Sequence, residues 1–134
     1  MARWGRTPDP ERCPCGTSRP YGDVLRPLHA GRPAATAEAL MRSRYSAYTL
    51  GNEPYLLDTW HPRTRPETLD LDPRTSWLGL EIHATTGGSP FDSTGTVEFS
   101  AHFRTGRRRA TLHEVSRFET HDGRWVYLTG TERR

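Results

Sequence analysis

A chain of 134 residues lies near the commonest domain size and is long enough to bury about two thirds of its unfolded surface, so one main domain is expected. Its low mean hydropathy of −0.82 is offset by four Trp, five Tyr and four Phe and by eleven Pro and twelve Gly, which argues for a turn-rich globular chain and against disorder; no run reaches the length of a membrane span. The net charge of +3 permits a nucleic-acid partner without indicating one, since sixteen carboxylates are interspersed; all nineteen basic residues are arginine, which fits either phosphate binding or a codon bias.

Residues 1–33 contain six prolines and four glycines with no periodicity, and read as an irregular arm without a core of its own. Within it, Cys13-Pro14-Cys15-Gly16 followed by Tyr21 has the look of half a zinc site, because two thiolates held by a tight turn can share one tetrahedral metal. With only these two cysteines, one residue apart, no disulfide framework forms and a reducing cytoplasm is the expected compartment. The segment MARWGRTPDP carries no apolar signal core.

The stretch from Thr36 to Pro62 holds the best helical periodicity. Ala37, Leu40, Met41, Tyr45, Ala47 and Tyr48 fall on one side of a helix, with Arg44 in the middle of that stripe. Thr36 is the predicted N-cap, Glu38 complements the dipole in the first turn, and Gly51 ends the helix. Tyr55, Leu56, Leu57 and Trp60 fit a second short helix that Pro62 stops, and the proline-rich loop after it is expected across one end of a sheet.

From Ser76 the period switches to two. Four strands are predicted at about 76–86, 95–104, 109–120 and 124–131, separated by Gly87-Gly88-Ser89-Pro90, Thr105-Gly106 and the strong hairpin signal Asp122-Gly123. Strict alternation turns Leu78, Leu80, Ile82 and Ala84 inward, then Val97, Phe99, Ala101 and Phe103, then Leu112, Glu114, Ser116 and Phe118. His113, Val115 and Arg117 fall on the other face, where a second molecule or the arm could sit. Two helices followed by an antiparallel meander predict an α+β layer arrangement.

The segments CPCG, TAEALMRSRYSAY, YLLDTWHP, GTVEFSAHF, LHEVSRF and GRWVYLTG resemble the YchJ-like proteins, over roughly residues 13–131. The resemblance implies a cysteine-rich SEC-C motif in residues 1–33 joined to a nuclear-transport-factor-2-like (cystatin-like) cone in residues 34–134, with helices packed on a curved antiparallel sheet of four or more strands. It implies no assigned reaction. The SEC-C pattern has two further ligands after the tyrosine, whereas this chain has Val24 and Leu25 there; Cys13 and Cys15 with His29 would still leave a tetrahedral shell one short, so no metal and no cofactor are expected. Cone folds of this class often enclose a cavity between helix and sheet, and where they are enzymes an acid or base lines it, with a tyrosine donor in the ketosteroid isomerase pattern.

A guanidinium on an apolar helical stripe has to be compensated, so Arg44 is expected to pair with the inward Glu114, to receive an anionic ligand, or to snorkel to solvent. Tyr45, Tyr48, Tyr55, Trp60, His61 and Glu114 are the other candidates for a cavity lining, and aromatic residues there serve equally well as core. His61, before Pro62, is read either as a cap of terminal carbonyls or as a base. Arg104, Arg107, Arg108 and Arg109 concentrate charge at one hairpin tip, joined in sequence terms by Arg133 and Arg134, but the aromatic spacing of a single-strand stacking platform is missing. Two function classes follow: a protein that binds an unidentified small molecule in its cavity, and an interaction module that uses the arm and the basic tip for protein or RNA. A membrane partner is not expected, and the sheet offers a surface for a homodimer.

Overall fold

The computed structural model of the protein describes residues 33–132. The expectations for Cys13, Cys15, Tyr21, Val24, Leu25 and His29, and for Arg133 and Arg134, lie outside the described residues. Helix α1 spans Ala37–Leu50: the Thr36 hydroxyl accepts from the Ala39 amide at 3.0 Å, Glu38 pairs with Arg42 one turn on at 3.1 Å, and Gly51 closes the helix in the left-handed conformation at φ 69°. The buried surface is wider than the predicted stripe, because Ser43 and Ser46 are buried along with Leu40, Arg44 and Tyr45. The reason is a second layer: helix α2, Glu53–Asp58, packs beside α1, and Ser43 meets the Tyr55 hydroxyl at 2.7 Å.

Helix α2 is shorter than its apolar pattern predicts. It stops at Asp58, and Thr59 to His61 instead join the edge of the sheet, with the Tyr127 amide donating to Thr59 O at 2.8 Å and the His61 amide donating to Tyr127 O at 2.7 Å. The following loop, expected across one end of the sheet, packs Leu69 and Leu71 on Ala47, Tyr55 and Leu56, where the Glu53 carboxylate accepts from the Leu69 amide at 3.1 Å. No helix among the described residues is long and apolar enough to cross a membrane.

Strands β1 (Thr75–Gly87), β2 (Thr94–Thr105), β3 (Arg108–His121) and β4 (Arg124–Glu132) pair antiparallel in the order of the sequence. The last turn has Asp122 and Gly123 both at positive φ, 51° and 80°, as a two-residue hairpin requires. The β2–β3 register sets Val97 opposite Ser116, Phe99 opposite Glu114 and Ala101 opposite Leu112, which confirms the alternation read for those strands. In β1 it fails at two places. Extra residues at Leu78 and His83 shift the register, so Trp77 and Leu80 share the core face while Leu78 is 45 % exposed, and Ala84, opposite Glu98, is also exposed. A third irregularity lies in β4, between Tyr127 and Thr129.

The core sits between α1 and one face of the sheet, where Leu40, Met41, Tyr45, Val97, Phe99, Ala101, Phe118 and Trp125 meet. Two glycines allow the β1–β2 connection to approach α1. Gly88, at φ 77°, accepts from the Ala37 amide through its carbonyl at 3.0 Å, and a Cβ on it would come within 2.8 Å of Ala37 Cβ; a Cβ on Gly95 would lie 2.6 Å from Gly88 Cα. The opposite face of the sheet is polar, with His113 bonded to Glu98 at 2.7 Å, His83 bonded to Ser100 at 2.7 Å and His102 paired with Glu81.

Candidate functional site

Between α1 and the sheet lies a cavity of about 250 Å³. Helix α1 contributes Met41, Arg44, Tyr45 and Tyr48 to it, because these four recur at helical spacing on the face turned to the strands. The strands supply Phe99 and Ala101 from β2, Leu112, Glu114 and Ser116 from β3, and Tyr127 from β4. Trp77 of β1 forms an aromatic end wall, its ring centroid 6.0 Å from that of Tyr45, 5.9 Å from that of Tyr48 and 5.4 Å from that of Phe103. The lining is apolar except for a few groups, of which Arg44 and Glu114 are the charged pair of opposite sign.

These two do not form the ion pair expected of them. Arg44 is 4 % exposed and has no carboxylate within 4 Å among the described residues. Its Nη1 donates instead to the Leu56 carbonyl and to the Thr59 hydroxyl, each at 2.7 Å. Leu56 O is a carbonyl of the last turn of α2, which has no partner within its own helix and carries the negative end of the helix dipole. The guanidinium also lies against two π faces, with its Cζ 5.1 Å from the Trp60 centroid and 4.6 Å from that of Tyr127, and those rings meet edge to face at 4.9 Å. Carbonyl, hydroxyl and ring electrons therefore do the work assigned to a carboxylate. Burial nevertheless holds the Arg44 guanidinium below its ordinary pKa, while the Tyr48 and Tyr127 phenols push it back up.

The Glu114 carboxylate lies over Gly130, where a Cβ would overlap it, with the Tyr127 hydroxyl close by. Burial pushes its pKa up, Glu132 adds to the rise, and the Ser116 hydroxyl, which donates to Oε1 at 3.4 Å, opposes it. The Tyr127 phenol is pushed up to about 12, first by burial and then by the nearby Glu114 charge, with Arg44 acting in the opposite direction. The cavity is thus lined by a cation with no carboxylate within 4 Å among the described residues and by a carboxylate whose pKa burial raises.

Of the seven residues expected at a cavity, Arg44, Tyr45, Tyr48 and Glu114 are brought together. Tyr55 faces the second core, bonded to Ser43 and packed with Ala47 and Leu56. Trp60 stands behind Arg44 and supports its guanidinium rather than lining the space. His61 does not line this cavity: its Nε2 is 3.9 Å from Glu119, its ring 4.8 Å from that of His121, and its Nδ1 accepts from the Arg63 amide at 3.0 Å. Tyr127 and Trp77 were the residues missed. Alternation of Trp125 and Tyr127 in β4 carries a signal for the first, whereas the bulge at Leu78 hides the second.

Residues 36–130 match the family model described as YchJ, middle NTF2-like domain. The chain belongs to the YchJ-like family. UPF0225 protein SCO1677 of Streptomyces coelicolor is 57 % identical over 119 residues, covering 88 % of this chain and 93 % of that protein. UPF0225 protein Cgl1438/cg1626 of Corynebacterium glutamicum is 51 % identical over 121 residues, with 90 % and 96 % covered. The solution structure of RPA3114, a SEC-C motif containing protein from Rhodopseudomonas palustris, superposes with a TM-score of 0.79 at 36 % identity, over 92 % of this chain and 99 % of that one. A crystal structure of a SEC-C motif containing protein from Psychrobacter arcticus gives 0.74 at 31 % identity, over 92 % and 84 %. The YchJ-like assignment and these two structures agree with the NTF2-like α+β fold, two helices on a four-stranded antiparallel sheet.

Proposed function

We propose that this YchJ-like protein binds a small molecule in the cavity between α1 and the sheet. The observation that carries the reading is Arg44: a buried guanidinium without a carboxylate partner among the described residues lines an otherwise mainly apolar space that also holds Glu114. Two hydrogen bonds and two π faces hold the charge in place, yet its desolvation is a cost that an apolar residue of similar volume would avoid, so a ligand that meets the guanidinium gives a reason for keeping it there. The volume of about 250 Å³ lies just below the usual range of ligand sites, which fits a compact molecule. The test is Ala101→Leu, which adds bulk to the cavity floor from a buried position. Ligand-observed NMR with a fragment library is expected to find binders of the native protein that Ala101→Leu loses, while its thermal midpoint stays level or rises. A fall in midpoint with the same binders retained would show that the space is already filled and the binding lies elsewhere.

A further inference from the structure

Resting on that reading, we infer that the molecule taken by the cavity is a small monocarboxylic acid with a flat apolar body, its carboxylate on Arg44 and its body against Trp77, Tyr45 and Phe99. A guanidinium carries five N–H donors in a planar fork that matches a carboxylate; the bonds to Leu56 and Thr59 both come from Nη1, and with one more bond, to Tyr48, two donors of the fork remain for a ligand. Its surroundings set the geometry in advance: Thr59 and Leu56 hold one nitrogen, and Trp60 and Tyr127 hold the plane. The charge count then restricts the ligand. One arginine lines the space, and Glu114 lines it as well, so a dianion such as a phosphate monoester would bring a second charge with nothing to meet it. Size restricts the body, since a cavity of about 150 Å³ accommodates benzene. The roughly 250 Å³ here leaves room for one ring and a carboxylate.

Phenylacetate, phenylacetamide and 2-phenylethylamine have closely similar shapes and different charges, and their affinities for the full chain can be compared by calorimetry at fixed pH and ionic strength. The acid is expected to bind about tenfold or more tightly than the amide, the worth of a charge-assisted hydrogen bond. Arg44→Met should bring the acid down to the level of the amide and leave the amide unchanged. Should Arg44→Met fail to fold, Glu114→Gln carries the test: removing the second negative charge should tighten the acid at neutral pH and not the amide. Equal or better binding of the amide or the amine overturns the carboxylate assignment and leaves the small-molecule reading standing. If none of the three binds, the assignment falls. Xenon uptake by the same cavity, followed by NMR shifts of the Met41 methyl, then decides separately whether the space is accessible to any ligand.

Discussion

Arg44 shows how a buried charge can be accommodated without an opposite charge. Burying the cation carries the cost that its place on the apolar stripe implies, but a carbonyl at the end of a short helix meets it in place of the expected carboxylate, and no periodicity reveals that carbonyl. Thr59 is the residue that tests this. Thr59→Val keeps the shape and removes one acceptor from Nη1 and one donor to Tyr55 O, so it should cost about 1–3 kcal/mol in denaturant unfolding. A neutral result would mean that Leu56 O and the two rings suffice. Glu114 makes a prediction in pH. Its folded pKa lies above the ordinary 4.5, so the folded state holds the proton more tightly than the unfolded chain does. The native protein is therefore favoured at acid pH, and that contribution is lost as pH rises from the unfolded value through the folded one. Ser116 and Glu132 act on the group directly and Tyr127 lies near it, and no cation is among them to reverse the direction. Glu114→Gln should accordingly gain stability relative to the native protein as pH rises through that window, and the two proteins should converge at acid pH. Convergence at neutral pH and divergence in acid would reverse the sign and place a cation beside the carboxylate.

At the scale of elements, the helix α1 and the β2–β3 hairpin were legible because each obeys one period throughout, with a cap or a turn at each end. What could not be read were the places where a period is interrupted. The bulges at Leu78 and His83 move Trp77 onto the cavity face and Leu78 off it, and nothing in the composition of β1 marks the extra residues. The end of α2 was misplaced for a related reason: Trp60 suits a helical stripe, and its escape to the edge of β4 depends on backbone groups of Tyr127, far along the chain. His61 followed it out of the site. The β1–β2 connection gives the test at this scale, since it joins sheet to helix through Gly88 and Gly95. Gly95→Ala would set a methyl against the Gly88 backbone, with no flexible side chain to yield, and is expected to lower stability by about 1–3 kcal/mol. Gly106→Ala, at a turn with open space around it, serves as a comparison in which only the positive φ of 63° opposes the change. If both lower the thermal midpoint equally, the close approach of the connection contributes nothing.

For the whole molecule, the distribution of charge separates the two functional classes better than its total. Arg42, Arg63, Arg74 and Arg124 each lie within 4 Å of a carboxylate, so their charges are largely answered locally. Arg107, Arg108 and Arg109 are exposed at the β2–β3 tip and have no such partner among the described residues. Among the described residues, three adjacent arginines without such a partner thus sit at one end of the sheet, while the cavity is built around Arg44 on the α1 face. Replacing the three tip arginines by serine takes the formal net charge from +3 to zero without touching a buried group. Stability should change by no more than about 0.5 kcal/mol, because exposed turn positions carry little packing. Binding to a polyanion such as heparin or single-stranded RNA should weaken at every salt concentration, with a shallower dependence of log affinity on log salt, since fewer counter-ions are released. Binding of small acids in the cavity should not change beyond the general effect of net charge, which salt at physiological strength screens beyond about 8 Å. An RNA affinity that keeps its salt slope in the triple variant would remove the tip as an anion-binding surface. A cavity affinity that falls with the tip would tie the two ends together and overturn that separation.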